Sequence, residues 1–240
     1  MLRLGDLELV GGRPNVAVSF TDVDGRGEVA QAREAGVAIA ELRIDLFARL
    51  TPDYVALQAE RLAGLPTIAT IRLAAEGGAW TGDEAARLKL YEAVLPFVDG
   101  IDVELRTPET IAALAPRLRK AGKLLIVSHH DLEATPAYEA LADLCRQAGR
   151  AGADIVKIAA IVRSDADAEI LARLLDQKPA PHLVVIGMGE KGLATRLAFP
   201  TRGSLFTFAA KGDRVSAPGQ IPYLRMLEIL KELRPDGEAS

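Results

Sequence analysis

The chain has 240 residues, 49% hydrophobic and 26% charged, which fits one large globular domain or two small ones. A formal net charge of -4 gives neither the electrostatic footprint of a nucleic-acid binder nor the basic stripe of a membrane-surface protein. One cysteine, Cys145, excludes an intrachain disulfide and a Cys-rich metal site and suits a reducing, cytoplasmic setting; no run approaches the ~18 apolar residues of a membrane span, and the N-terminus lacks the apolar core of a signal peptide.

The residues before Asn15 read as a small extra piece, a hairpin around Gly11-Gly12. Apolar, strand-like runs then recur at Asn15–Phe20, Ala38–Asp45, Pro66–Leu73, Gly100–Leu105, Lys123–His130, Ala153–Ala160, His182–Gly189 and Ser204–Ala210. Their starts are separated by the length of a strand, a loop and a crossover helix. The segments between them carry helical patterns. Asp83–Phe97 places Ala86, Leu90, Ala93, Val94 and Phe97 on one stripe, with Thr81 and Asp83 offering N-cap oxygens. Thr107-Pro108-Glu109 reads as a capping Thr followed by Pro and Glu in a first turn, and Thr135-Pro136 repeats it. Ile221–Leu233 is amphipathic, and the polar tail after Pro235 reads as frayed.

Alternating strand and helix implies an α/β fold with a parallel sheet. Eight units match a (β/α)8 TIM barrel, a single domain over residues 1–240, with the N-terminal hairpin closing its bottom. No Gly-x-Gly-x-x-Gly follows the first strand, which argues against an open dinucleotide-binding sheet.

In such a barrel the chemistry sits at the C-terminal ends of the strands. Lys157 stands alone in the apolar run Ile155–Val162. Burial strips an ammonium ion of water and disfavours its charged form, and a neutral lysine forms Schiff bases with ketones and aldehydes. The plain structural alternative is a strand-end lysine with its stem packed and its head in water. Glu41, Arg43 and Asp45 share one strand face, and three charges facing a barrel interior need mutual pairing or a polar ligand. Arg72 has no cheap structural explanation, and Glu76 before Gly77-Gly78 suggests a mobile loop over the mouth. Asp102 and Glu104 share a face, with Arg106 just beyond. Of His129 and His130, at most one enters the barrel, and the all-apolar Leu124–Val127 gives no phase to choose between them. Gly187–Gly192 leads to a helix carrying Arg196; such loops hold anions or are simply turns. Ser216 and Gln220 flank a Pro-Gly turn after the last strand. The arginines predict an anionic small-molecule substrate, and one inward histidine does not suit a zinc site.

These residues together resemble type I 3-dehydroquinate dehydratase, the Schiff-base enzyme of the shikimate pathway. The segments are Glu41–Asp45 (ELRID), Ile71–Gly78 (IRLAAEGG), Ile101–Leu105 (IDVEL), Ser128–Asp131 (SHHD), Gly152–Ala159 (GADIVKIA), Gly187–Arg196 (GMGEKGLATR) and Ser216–Gln220 (SAPGQ). The resemblance implies that Lys157 forms an imine with the ketone of 3-dehydroquinate at carbon 3. It selects His130 as the group that takes the proton from carbon 2 and later protonates the departing hydroxyl. It implies that Glu76 orients this histidine, that Arg196 pairs with the substrate carboxylate, and that Glu41, Arg43, Arg72, Ser216 and Gln220 hold the ring hydroxyls and close the loop. It further implies no metal, no organic cofactor and a homodimer. This chain departs from the family pattern at Leu132, where an aromatic residue is usual, at Thr195, where Ser is usual, and in a seventh strand that keeps only Met188. A class I aldolase-type barrel and a non-catalytic sensor of a shikimate-type metabolite are the alternatives.

Overall fold

The computed structural model describes residues 1–212 and 219–233. Ser216 and the tail after Pro235 lie outside the described residues. The elements, in chain order, are β1 (Arg3–Leu4), β2 (Leu7–Glu8), β3 (Val16–Phe20), α1 (Arg26–Ala35), β4 (Ile39–Arg43), α2 (Pro52–Arg61), β5 (Thr67–Thr70) and α3 (Glu84–Val94). They continue with β6 (Gly100–Glu104), α4 (Pro108–Ala121), β7 (Leu124–Asp131), α5 (Tyr138–Arg150) and β8 (Ile155–Ile161). The rest are α6 (Asp165–Gln177), β9 (Leu183–Met188), α7 (Leu193–Thr201), β10 (Thr207–Ala209) and α8 (Tyr223–Glu232).

Strands β3 to β10 form one parallel sheet in the order β10-β3-β4-β5-β6-β7-β8-β9. The Leu205 N–H donates to the Leu183 carbonyl at 3.0 Å, just before β10, and brings the two ends of the sheet together. This is the expected (β/α)8 barrel, and each expected strand is present within a few residues of its predicted ends. The runs were legible because these strands are covered on both faces. One face packs on the helices through residues such as Val18, Leu42, Val103 and Leu125. The other fills the barrel with Ala17, Ile39, Ile68, Ile126, Val184 and Phe206.

The expected second and third strands end earlier than their apolar patterns. β4 stops at Arg43, and a 3-10 turn over Ile44–Leu46 carries Asp45; β5 stops at Thr70, and a second turn over Ala74–Glu76 carries Glu76. The N-terminal hairpin exists, but its turn is Gly5-Asp6 rather than Gly11-Gly12. Gly5 takes φ +58, and a Cβ there would sit 2.9 Å from the Asp99 carboxylate, so glycine suits both the left-handed turn and the close approach. Fully buried Leu4 joins the interior cluster with Ile39, Ile68 and Leu124 and plugs the barrel bottom.

Asp83 caps α3 by accepting from the Ala86 N–H at 2.7 Å. The two Thr-Pro starts behave differently from expectation. The Thr107 hydroxyl donates to the Glu104 carbonyl at 2.9 Å, and that of Thr135 donates to the Ile161 carbonyl at 2.8 Å, so both tie loops to strand ends instead of capping.

Candidate active site

Register places the site. β6, β7 and β8 align Glu104 with Ser128 and Ser128 with Lys157, so one level near the strands' C-terminal ends holds all three. Lys157 Nζ donates to Asp102 Oδ2 at 2.9 Å and lies 4.4 Å from the centre of the Phe208 ring. Its side chain is 5% exposed, so the head is inside the barrel and not in water. Asp102 also accepts from Ser128 Oγ on Oδ1 at 2.6 Å and pairs with Arg72 at 2.9 Å. Burial pushes this carboxyl up, but Arg72 and then Lys157 outweigh it and hold it well below the usual carboxylate range.

His130 is the inward histidine. Its backbone N–H donates to Glu76 Oε2 at 2.9 Å, and its Nδ1 lies 3.0 Å from the same oxygen. With Nδ1 as the donor, Nε2 is left as an acceptor. Burial, then Arg72 and Lys157, holds His130 well below its ordinary value, so the ring is neutral. Burial pushes Glu76 up to about 7. The glycines after Glu76 serve a tight turn: Gly77 has φ +82, and a Cβ on Gly78 would fall 2.0 Å from the Arg72 carbonyl oxygen. Leu132, 42% exposed, packs on Gly77 and lines the mouth.

The charged residues on β4 and in the turns after β4 and β5 are largely engaged with neighbouring groups. Glu41 accepts from Ser19 Oγ at 2.5 Å and Thr70 Oγ1 at 3.0 Å. Arg43 binds Asp45 through two contacts, at 3.0 and 2.8 Å, and Asp45 also accepts from the Ala79 N–H at 3.1 Å. Arg72 donates to Glu104 at 2.8 Å and to Ser128 at 2.7 Å besides its pairing with Asp102. Glu104 in turn meets the fully buried Arg87 of α3, whose guanidinium also donates to the Ile71 carbonyl at 2.9 and 2.6 Å. Carboxylate neighbours therefore raise Arg43 and Arg72 in spite of burial, whereas burial lowers Arg196 to about 10.

One cavity at the C-terminal end of the barrel unites these groups. Glu41, Arg43, Arg72, Glu76, His130, Lys157, Arg196 and Gln220 line it, with Ala159, Ile186, Met188 and Phe208 as its apolar wall. Of the expected site residues only Ser216 falls outside the described residues. Gly219, beside Gln220, has φ +78, and a Cβ there would fall 2.3 Å from the Gly189 carbonyl oxygen, which fixes the end of the last loop against the seventh-strand turn. That glycine-rich turn is closely packed: the Thr195 hydroxyl accepts from the Gly187 N–H at 2.9 Å and donates to the Gly192 carbonyl at 2.6 Å. Thr195 thus ties the turn to the first residues of α7 through its hydroxyl. Among the groups that sequence reasoning left without a role, Asp102, Ser128 and Phe208 touch Lys157 or its partner. Asp102 was singled out only as sharing a strand face with Glu104, and Ser128 only as part of the SHHD segment.

A parallel barrel with a buried lysine, a neutral histidine and a buried arginine around one apolar-walled cavity defines the class, a (β/α)8-barrel enzyme acting on a small anionic molecule. Residues 16–236 match the model of the type I 3-dehydroquinase family. The chain is 34% identical to 3-dehydroquinate dehydratase of Thermodesulfovibrio yellowstonii over 91% of this chain and 95% of that one. It is also 34% identical to the Methanosarcina barkeri 3-dehydroquinate dehydratase, over 97% of this chain and 100% of that one. The crystal structure of the Geobacillus kaustophilus 3-dehydroquinate dehydratase superposes with a TM-score of 0.84 at 32% identity, covering 92% of this chain and 91% of that one. The chain belongs to the type I 3-dehydroquinase family, lyases that dehydrate 3-dehydroquinate in the shikimate pathway by the Schiff-base route characteristic of type I. This supports dehydration over the aldolase-type and sensor alternatives.

Proposed function

We propose that Lys157 is the lysine that forms the imine and that His130, through Nε2, is the group that moves the protons. The observation that carries this reading is that both side chains line one cavity, each held by its own buried carboxylate, Asp102 for Lys157 and Glu76 for His130. The imine at carbon 3 acts as an electron sink and acidifies the neighbouring C–H. His130 takes that proton and returns one to the departing hydroxyl, general acid–base work of roughly 10²–10⁴-fold. Glu76 holds the histidine tautomer. Arg196 receives the substrate carboxylate, a role supported by its burial and lowered basicity. Glu41, Arg43, Arg72, Gln220 and Ser216 hold the ring hydroxyls; for Ser216 the support is the family pattern alone.

The imine supplies the electron sink, so the reaction in this reading uses no metal and no organic cofactor. The whole chain acts as one domain, on a small-molecule partner and not a nucleic acid, as a cytoplasmic homodimer. The dimer is supported by the family resemblance and the cytoplasm by the free, buried Cys145. Among the described residues, no helix is long and apolar enough to cross a membrane.

The test is reduction with borohydride in the presence of 3-dehydroquinate. The expected result is a covalent adduct on the peptide carrying Lys157, loss of both adduct and turnover in Lys157→Ala, and a rise in ultraviolet absorbance of the conjugated product without added metal. An active enzyme with no mass increase on that peptide would overturn the assignment.

A further inference from the structure

Asp102 is 1% exposed and its two oxygens are shared out. Ser128 Oγ donates to Oδ1 at 2.6 Å, while Arg72 and Lys157 Nζ each reach Oδ2 at 2.9 Å. The Phe208 ring, 4.4 Å from Nζ, covers another side of the amine. Of the three N–H bonds of the ammonium, one is directed to Asp102, and the cavity receives what the ring leaves open.

Imine formation converts R–NH3⁺ and O=CR2 into R–NH⁺=CR2 and H2O. The carbonyl C–O bonds break and a C=N bond forms. Two N–H protons leave with the oxygen as water, and one N–H proton stays. The iminium nitrogen is cationic, so a fixed carboxylate is a suitable partner for it.

We propose that Asp102 is a catalytic residue: it accepts the retained N–H of the iminium, fixes the plane of the C=N bond, and thereby decides which ring carbon beside the imine faces His130. This rests on the reading of Lys157 as the imine-forming residue. Ser128 is a positioning residue, because its hydroxyl stops the carboxylate from rotating. Arg72 has a further effect through Asp102. When His130 removes the ring proton, the C–H electron pair moves toward nitrogen and the positive charge there is lost. A bare carboxylate would oppose that loss; one shared with Arg72 opposes it less. Arg72 therefore serves the lysine's counter-ion in addition to any hydroxyl it holds.

Asp102→Asn in the full chain, its folding checked by circular dichroism, separates the two steps. Expected are borohydride adduct on Lys157 within about threefold of wild type and a fall in dehydration of about 10²-fold, the size of effect that misplacement of a reacting group produces. An equal fall in adduct and dehydration overturns the proposal, because Asp102 would then act only on the reactivity of the amine. Unchanged dehydration overturns it as well. Absence of adduct from active wild-type enzyme is a separate result and removes the Schiff-base reading itself. If Asp102→Asn does not fold, Ser128→Ala keeps the carboxylate and both of its ion pairs. It should form adduct normally and dehydrate about 10-fold more slowly, a milder misplacement; wild-type turnover in that variant overturns the proposal.

Discussion

Glu76 gives the reaction an expected pH dependence whose sign follows from the geometry. Burial pushes its carboxyl up to about 7, so the group is ionised above that pH and protonated below it. Ionised, it accepts from Nδ1–H of His130 and leaves Nε2 bare, the form that removes a proton from carbon in the proposed reaction. Protonated, it donates to Nδ1 and drives the ring proton to Nε2, which turns the base into an acid. Burial, then Arg72 and Lys157, hold His130 itself well below its ordinary value. Below pH 7 the active fraction falls about tenfold per unit, so kcat/KM near pH 5.5 should be roughly 30-fold under its plateau. The same shift bears on the fold. The native state holds a proton between the ordinary value of 4.5 and about 7, so stability falls as pH rises through that window, by about 3 kcal/mol once above it. Glu76→Gln removes both effects. Its amide oxygen still accepts from His130, but the lost charge lowers kcat by roughly 10- to 100-fold, the worth of a charge-assisted hydrogen bond. Its acid limb should flatten, and its melting temperature should stop falling between pH 5 and 8. Progress curves at the product absorbance and thermal melts across that range test this. A wild-type profile flat from pH 5.5 to 8, or an acid limb unchanged in Glu76→Gln, would refute the argument.

The barrel was legible in the sequence for a physical reason. Strands covered on both faces read as unbroken apolar runs, and a charge in or just after such a run, as at Lys157, Arg43 or Arg72, calls for an ion pair, a solvent-exposed strand end or a site. What stayed hidden was non-local. Leu124–Val127 carries no phase, so the choice of His130 and its link to Glu76, 54 residues earlier, came from the family resemblance and not from periodicity; the bond between them is seen in the structure. The carboxylate that holds Lys157 lies 55 residues before it, on β6, and reaches it across the barrel interior past β7. Alternation showed that Asp102 and Glu104 share a face; it could not show that the first holds the lysine while the second is clamped between Arg72 and Arg87. The hairpin turn was misplaced because Gly11-Gly12 is the stronger local turn signal. The turn forms at Gly5 instead, in the left-handed conformation and so close to Asp99, distant in the chain, that a side chain would not fit.

Arg196→Ala should raise KM roughly 10- to 100-fold with a smaller change in kcat, since a charge-assisted contact to a substrate carboxylate is made in ground and transition state alike. Steady-state kinetics decide it, and an unchanged KM would remove Arg196 from the binding wall. Arg87→Met tests the clamp behind the site. The replacement keeps the length of the side chain but leaves the Ile71 carbonyl without its guanidinium donor and Glu104, among the described residues, with Arg72 and the Leu73 N–H, at 2.8 and 3.0 Å. Breaking a buried pair from one side costs about 3–5 kcal/mol, which for a domain of this size lowers Tm by roughly 6–20 °C. Arg87 does not line the cavity, so any loss of kcat in the folded variant has to pass through Glu104 to Arg72 and from there to Asp102. A Tm within about 2 °C of wild type by scanning calorimetry would mean that Arg72 alone compensates the buried Glu104 charge.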